Sequence, residues 1–226
     1  MKYWFNEDKS IRLYNDDCFN AMNKFIEKGV KVDCVVTDPP YGMNFISNYR
    51  KTKHNKIIND TNLDWLDEFS KNIYELMKDN SHGYVFCSFH NVDKFKQSLE
   101  KYFKIKNILI WEKNNTSMGD LRGDYAPKYE MIIYINKGRR ILNGRRDSNI
   151  LQFKRVANKF HPTTKPVDLL QFLIEKSTNK NELVFDCFMG GGSSAVASKL
   201  SKRKFIGIEL DSKYFDIAVK RIKGEL

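Results

Sequence analysis

The chain has 226 residues, of which 41% are hydrophobic and 30% are charged, and its formal net charge is +11 at pH 7. This length and composition predict one large globular domain and exclude a disordered or fibrous chain. No apolar run approaches the length of a membrane span and the amino terminus lacks a signal-peptide pattern, so a cytoplasmic location is expected.

The excess of basic side chains predicts a polyanionic partner. Nucleic acid is favoured over a membrane, because no basic amphipathic anchor stands out. The four cysteines and four histidines are scattered without paired metal-ligand spacing. We therefore predict no metal site and interpret the cysteines as reduced thiols.

The first predicted strand covers residues 11–14, and a helical pattern follows from Phe19 to Ile26. Asp17 lies between them, where a strand turns into a helix. Open α/β sheets place ligand contacts at such points, whereas an acid there also caps helices, so both roles remain open.

The second strand, from Val32, ends abruptly in Asp38-Pro39-Pro40-Tyr41. Each proline restricts the residue before it and lacks an N–H, so the segment is expected to leave the sheet as a stiff, extended arm. The Asp38 carboxylate and the Pro39 carbonyl could then accept both hydrogens of an aromatic amine. The Tyr41 ring offers a face for a planar base, a role that needs the ring and not the hydroxyl. A strand that ends in a simple polyproline turn is the alternative.

The middle of the chain alternates between helical and strand patterns. Helices are predicted over residues 63–77 and 92–102, and strands over residues 83–89, 105–111 and 129–135. The segment from Gly42 to Asn62 is a long polar loop, and its basic residues Arg50, Lys51 and Lys53 are candidate DNA contacts.

A basic insertion occupies residues 137–160, where eight basic residues face the single acid Asp147. The candidate phosphate contacts in it are Arg139, Arg140, Arg145 and Arg146. A solvated charged loop is an equally good interpretation.

The last part of the chain predicts a ligand site. A strand leads into a glycine loop and a helix, and the strand after them ends in an acid. A helix follows Pro166, a strand ends at Asp186, glycines follow at 190–192, and the next strand ends at Glu209. Glycines let the backbone approach a ligand closely, and an acid at the next strand's end can accept ribose hydroxyls. Gly190 and Gly192 also fit a dinucleotide-binding pattern, which makes an NAD-dependent oxidoreductase a rival.

Asp38-Pro39-Pro40-Tyr41 resembles the catalytic motif of S-adenosylmethionine-dependent DNA amino-methyltransferases, most closely those that modify N6 of adenine. The segment Asp186-x-Phe188-x-Gly190-x-Gly192 is similar to their methionine-binding loop, and residues 161–166 resemble their lysine-proline segment. The order of catalytic arm, basic insertion and cofactor loop resembles the beta group of that family. Cys187 and Gly191 replace a proline and a serine common in the family loop.

The resemblance implies roles for particular residues. Asp38, Pro39, Pro40 and Tyr41 would be catalytic, and S-adenosylmethionine would be bound by Asp17, Lys165, Asp186, Phe188, Gly190, Gly192 and Glu209. It also implies double-stranded DNA as partner, a homodimer and a cognate restriction endonuclease.

We therefore expect an α/β fold with one Rossmann-like methyltransferase domain over residues 1–226, a mostly parallel central sheet, helices on both faces and a short basic insertion. Residues 1–136 would form the catalytic half and residues 161–226 the cofactor-binding half. The expected function is adenine-N6 methylation of DNA. A cytosine-N4 or RNA methyltransferase, the NAD enzyme and a basic DNA-binding module without catalysis are the alternatives.

Overall fold

The structure is a computed structural model that describes residues 2–42, 62–116, 122–156 and 164–226. The candidate DNA contacts Arg50, Lys51 and Lys53 lie outside the described residues, as does the first part of the lysine-proline segment, residues 161–163.

Strands and helices alternate along most of the described chain. The strands are β1 (Lys2–Phe5), β2 (Ile11–Asn15), β3 (Val32–Thr37), β4 (Met77–Cys87), β5 (Lys104–Glu112), β6 (Tyr129–Lys137), β7 (Ile150–Gln152), β8 (Leu183–Asp186) and β9 (Lys204–Glu209). The helices are α1 (Cys18–Glu27), α2 (Leu66–Leu76), α3 (Val92–Glu100), α4 (Val167–Ser177), α5 (Ser193–Leu200) and α6 (Ser212–Lys223).

The described strands form one nine-stranded sheet in the order β1-β2-β9-β8-β3-β4-β6-β5-β7. The five strands from β2 to β4 in this order are parallel, and β6 runs antiparallel between β4 and β5. The carboxyl ends of the parallel strands therefore meet at one edge, which we call the site edge. The opposite edge is called the far edge.

Helices cover both faces of the sheet, as expected for strands that are buried on both sides. Helices α1, α2 and α3 bury Met22, Phe69 and Phe95 against one face. Helices α4, α5 and α6 bury Leu173, Ala197 and Phe215 against the other. The predicted α/β fold with a mostly parallel sheet is confirmed.

Strands β8 and β3 join the two halves of the chain in the middle of the sheet. Their register pairs Cys34 with Val184 and Val35 with Phe185. Asp33, which is 8% exposed, reinforces this seam because its Oδ2 accepts the Leu183 N–H at 2.8 Å while Oδ1 accepts from Lys78 at 2.7 Å.

Several elements differ from the sequence prediction. Strand β4 begins at Met77 and ends at Cys87, whereas the prediction placed it over residues 83–89. Residues 78–80 in its first part are polar and exposed, so this part lacks the continuous apolar run on which the prediction depended. Strands β1 and β7 were not predicted, because they lie at the two ends of the sheet order and show little burial.

No helix among the described residues is long and apolar enough to cross a membrane.

Candidate active site

Four of the predicted acids lie at the site edge. Asp38 follows β3, Asp186 ends β8, Glu209 ends β9 and Asp17 follows β2. Strands β2, β9, β8 and β3 are neighbours in this order, so the topology brings the proline arm and the glycine loop to adjacent positions. Open α/β sheets bind ligands at this edge.

Both carboxylate oxygens of Asp38 are hydrogen-bonded. The Tyr41 hydroxyl donates to Oδ1 at 2.6 Å, and the Lys165 ammonium donates to Oδ2. The Tyr41 carbonyl accepts from the Asn91 side chain at 2.8 Å, which ties the proline arm to the loop after β4. The sequence predicted a stacking role for the Tyr41 ring only, whereas the structure also gives its hydroxyl a hydrogen bond to Asp38.

Glu130, near the start of β6, completes a buried cluster around Lys165. Its Oε2 lies 3.2 Å from the Lys165 ammonium and 3.4 Å from the Tyr41 hydroxyl. Its Oε1 lies 2.8 Å from the ammonium of Lys113, whose side chain is 11% exposed. Two ammonium groups and two carboxylates thus alternate in one row. Buried charges need such partners, because burial alone strongly disfavours them.

Burial and neighbouring charges shift the pKa values of this cluster. Burial raises the pKa of the Asp38 carboxyl, Lys165 opposes that rise, and the like charge of Glu130 adds to it. Burial also disfavours the charges of Glu130 and Lys165, but their partners outweigh it. The pKa of Glu130 is lowered and that of Lys165 is raised. The ionised form of Asp38 therefore depends on Lys165.

Asp186 braces the start of the glycine loop. Its Oδ1 accepts from the Thr37 hydroxyl at 2.8 Å and the Phe188 N–H at 3.0 Å, and its Oδ2 accepts from the Ser194 hydroxyl at 2.6 Å. Burial raises its pKa to about 6 against these hydrogen bonds. Because Thr37 immediately precedes Asp38, this contact links the proline arm to the loop.

The glycine loop turns sharply before α5. Gly190 and Gly192 have φ angles of 52° and 79°, in the left-handed region that side chains rarely adopt. A Cβ on Gly192 would also lie 2.7 Å from the Ala218 Cβ of α6. Glycine at this position therefore permits both the turn and the close approach of α6.

Glu209 is half-buried beside this loop. Its Oε2 accepts the Gly190 N–H at 2.8 Å and its Oε1 accepts the Asp211 N–H at 2.9 Å. Burial raises its pKa to about 7, against the opposing effect of these two bonds. A carboxylate at a strand end beside a glycine turn suits the ribose hydroxyls of S-adenosylmethionine, so the residues present fit that cofactor.

Asp17 is the N-cap of α1, and its Oδ1 accepts the N–H groups of Phe19 and Asn20 at 3.0 Å. The cap role left open by the sequence is thus observed at the site edge. Phe188 is half-buried, and its ring centroid lies 6.0 Å from those of Trp65 and Phe69.

Comparison with known proteins identifies the family. A family model described as DNA methylase, with a name that covers N6 and N4 methyltransferases, matches residues 32–220. The chain belongs to the DNA methylase family.

Two relatives and one solved structure show how much of the chain is similar to known proteins. The type II methyltransferase M2.MboI of Moraxella bovis is 30% identical and is matched over 97% of this chain and 90% of its own length. The DNA adenine methyltransferase YhdJ of Escherichia coli (strain K12) is 26% identical, with 96% and 83% covered. The solved structure of an M1.HpyAVI–SAM complex is 29% identical, with a TM-score of 0.75 and 93% and 99% covered.

The basic insertion of the methylase begins at the far edge. The four arginines Arg139, Arg140, Arg145 and Arg146, which we call the far-edge arginines, follow the end of β6 at Lys137. Glu130 is at the other end of that strand, seven residues or roughly 23 Å away. The structure therefore does not bring the far-edge arginines to the site edge.

Two of the far-edge arginines have acidic partners within the fold. Arg140 pairs with Glu182 at 2.7 Å, and Arg145 pairs with Asp147 at 3.1 Å.

Other basic residues of the insertion do reach the site edge. Lys154 and Arg155, which we call the rim cations, follow β7, whose last residue Gln152 pairs with Glu112 at the site-edge end of β5. The Arg155 N–H donates to the Asn114 side chain at 2.8 Å, which fixes this segment beside the end of β5.

Sequence reasoning missed Glu130, Lys113 and Asn91. Glu130 had a usable signal, since it is an acid near the start of an apolar strand. However, the start of a strand reaches the site edge only if that strand is antiparallel to its neighbours. That orientation was not predicted.

Proposed function

We propose that this methylase transfers a methyl group to N6 of an adenine in double-stranded DNA. S-adenosylmethionine is the cofactor, and it supplies the electrophilic methyl group. The observation that carries the proposal is the Thr37–Asp186 hydrogen bond of 2.8 Å, because it puts the Asp38 carboxylate beside the glycine loop. Methyl transfer to an amine requires a group that accepts hydrogen bonds from that amine next to the loop that binds the methyl donor.

The adenine amine is a poor nucleophile, because its lone pair is delocalised into the ring. The Asp38 carboxylate and the Pro39 carbonyl would accept hydrogen bonds from its two N–H groups and localise that lone pair on nitrogen. Nitrogen would then form the new bond to the methyl carbon as the methyl–sulfur bond breaks, and would release one proton. Tyr41 would hold the base by its ring, after the base has left the duplex at a cost of a few kcal/mol. Alignment of the reacting atoms then lowers the barrier further, by several kcal/mol.

The cofactor contacts are proposals from the family resemblance. Glu209 would accept the ribose hydroxyls, and the turn with Gly190 and Gly192 would let the ligand approach the backbone. Asp17 would contact the adenine of the cofactor through Oδ2, since both capping bonds end on Oδ1. Asp186 and Phe188 would shape the loop, and Lys165, paired with Asp38, would act from the catalytic side.

Adenine is favoured over cytosine because the motif begins with an acid, as in the adenine enzymes that it resembles. Similarity to a DNA adenine methyltransferase supports the same choice. The family name covers N4 as well as N6 methylation, so cytosine remains the second candidate. Membership in the family decides against the NAD-dependent oxidoreductase.

The test is mass spectrometry of nucleosides from unmodified double-stranded DNA incubated with protein and S-adenosylmethionine. N6-methyladenine is expected, and N4-methylcytosine alone would refute the adenine assignment. Asp38→Ala should abolish transfer while calorimetry shows cofactor affinity within about twofold of wild type. Asp67→Ala, which removes an exposed acid of α2 paired with Lys101, is the matched control and should stay active.

The homodimer and the cognate restriction endonuclease remain predictions from the resemblance. The far-edge arginines stay a prediction from the sequence, whereas the rim cations, which lie at the site edge, are the phosphate surface that we propose.

A further inference from the structure

The row of buried charges extends beyond the proline arm. It runs from Lys113 through Glu130 and Lys165 to Asp38, with side-chain exposures of 11%, 23%, 7% and 21%. The Lys113 ammonium also lies 5.2 Å from the centre of the Trp111 ring. Nothing in the proposed chemistry requires Lys113 or Glu130, yet both are held in place near the acceptor of the target amine.

The contacts of Asp38 raise a difficulty for that chemistry. Its Oδ1 accepts from the Tyr41 hydroxyl and its Oδ2 accepts from the Lys165 ammonium. An ammonium is a stronger donor than an aromatic amine, and its bond to Oδ2 draws negative charge away from the rest of the carboxylate. Unless Lys165 shifts its donation, Asp38 is a weakened acceptor for the hydrogens that it must hold.

Glu130 offers an alternative acceptor within reach. Its Oε2 is 3.2 Å from the Lys165 ammonium, and a small rotation of the lysine would shorten that contact. Lys113 holds the other oxygen at 2.8 Å, so Glu130 keeps its orientation while Lys165 moves. The same Oε2 lies 3.4 Å from the Tyr41 hydroxyl, the second donor on Asp38.

We propose that Glu130 is a positioning residue that takes over the Lys165 ammonium when the target adenine binds, so that Asp38 can accept the amine hydrogens. This inference rests on the proposed function. Lys165 remains close enough to keep Asp38 ionised, while its hydrogen bond passes to Glu130. The Lys165 ammonium thus donates to Asp38 in the absence of the base and to Glu130 when the base is bound.

The exchange predicts two changes in the pH–rate profile of Glu130→Gln. Without the Glu130 charge, Lys165 stays on Asp38, so the plateau rate of methyl transfer should fall by about 10- to 100-fold, the effect of one hydrogen bond to a charged group. The pKa of Asp38 should fall at the same time, because a like charge that raises it is gone. The acid limb of the pH–rate profile should therefore move to lower pH.

Loss of the Glu130 charge without the exchange would move the acid limb and leave the plateau unchanged, so the inference requires both changes together. The experiment measures single-turnover methylation of adenine in duplex DNA from pH 5.5 to 8.5, with cofactor affinity from calorimetry. Glu112→Gln is the matched control. Glu112 ends β5, the strand beside β6, and its carboxylate pairs with Lys128 at 2.7 Å, outside the row of buried charges. It should keep the wild-type profile.

Lys165 provides the second part of the test. Lys165→Met should reduce the rate and move the acid limb to higher pH, because Asp38 and Glu130 lose their shared cation. Adding Glu130→Gln removes the like charge as well, so the double variant should be more active at pH 7 than Lys165→Met alone. If the rate of the double variant falls by the product of the two single-variant losses, the inference is overturned. A wild-type rate in Glu130→Gln would overturn it as well.

Glu130→Asp covers the case in which Glu130→Gln fails to fold. It keeps the charge but withdraws the carboxylate from Lys165, so the plateau should fall without a shift of the acid limb. An unchanged plateau in folded Glu130→Asp would also overturn the inference. Absence of N6-methyladenine with the wild-type protein would instead mean failure of the proposed function.

Discussion

Cofactor affinity is expected to depend on pH through Glu209. A carboxylate accepts both ribose hydroxyls, whereas a carboxylic acid carries a hydrogen on one oxygen and is a weaker acceptor. Because burial raises the pKa of this group to about 7, the carboxyl is about 90% protonated at pH 6. Affinity for S-adenosylmethionine should therefore be about tenfold weaker at pH 6 than on the plateau above pH 8.

The direction follows from linkage. The ligand binds the deprotonated form, so binding releases a proton below the pKa and becomes stronger as pH rises through about 7. Isothermal titration calorimetry at half-unit steps from pH 5.5 to 8.5 measures the affinity, and buffers of different ionisation enthalpy report the proton release directly.

Glu209→Gln is the control, because it keeps the shape of the side chain and cannot titrate. Its affinity should be lower at pH 8 and should lack the step near pH 7. Two other groups titrate in this range: the amino group of the ligand, whose ordinary pKa is about 8, and Asp186, whose pKa is about 6. Both contribute equally to the two proteins, so their effects cancel in the comparison. A wild-type step that persists in Glu209→Gln would refute the assignment.

Three further outcomes are expected. Tyr41→Phe should move the acid limb of the methylation profile to higher pH, because the hydroxyl bond lowers the pKa of Asp38, and an unmoved limb would remove that role. Gly192→Ala should lower the free energy of unfolding by more than the roughly 1–2 kcal/mol of left-handed strain, since its Cβ would also meet α6. Denaturant unfolding measures this loss, and Gly29→Ala, with φ 66° and open space, shows the strain alone. Alanine at the rim cations should reduce the slope of log K for DNA against log salt by roughly 0.9 per contact, whereas alanine at the far-edge arginines should leave the slope unchanged. Fluorescence anisotropy titrations at several salt concentrations distinguish the two surfaces.

The parts of the site that depend on local sequence were predictable. Glycines after a strand and an acid at the end of the next one predicted the loop and Glu209, and the structure places them 2.8 Å apart. Two prolines after Asp38 predicted an arm that leaves the sheet. These signals are chemical constraints on a few neighbouring residues, so they are visible without knowledge of the fold.

The parts that depend on strand direction were not predictable in the same way. Charge counting made Arg139 a candidate DNA contact but could not place it, and β6, which is antiparallel, carries it to the far edge. The same reversal brings Glu130 to the site edge, next to Lys165. One strand orientation therefore decides both outcomes, and composition contains no information about it.

The seam between β3 and β8 has a consequence for how the protein is made. Strand β2 pairs with β9, and β3 pairs with β8, so the two early strands join one sheet only when β8 and β9 from the end of the chain insert between them. At 5–20 residues per second, the roughly 150 residues from β3 to β8 take about 7–30 s to synthesise. During that time, β2 and β3 present unpaired edges. The sheet can close only after translation has delivered the cofactor loop, and the catalytic arm and the cofactor site therefore come into being in the same folding step.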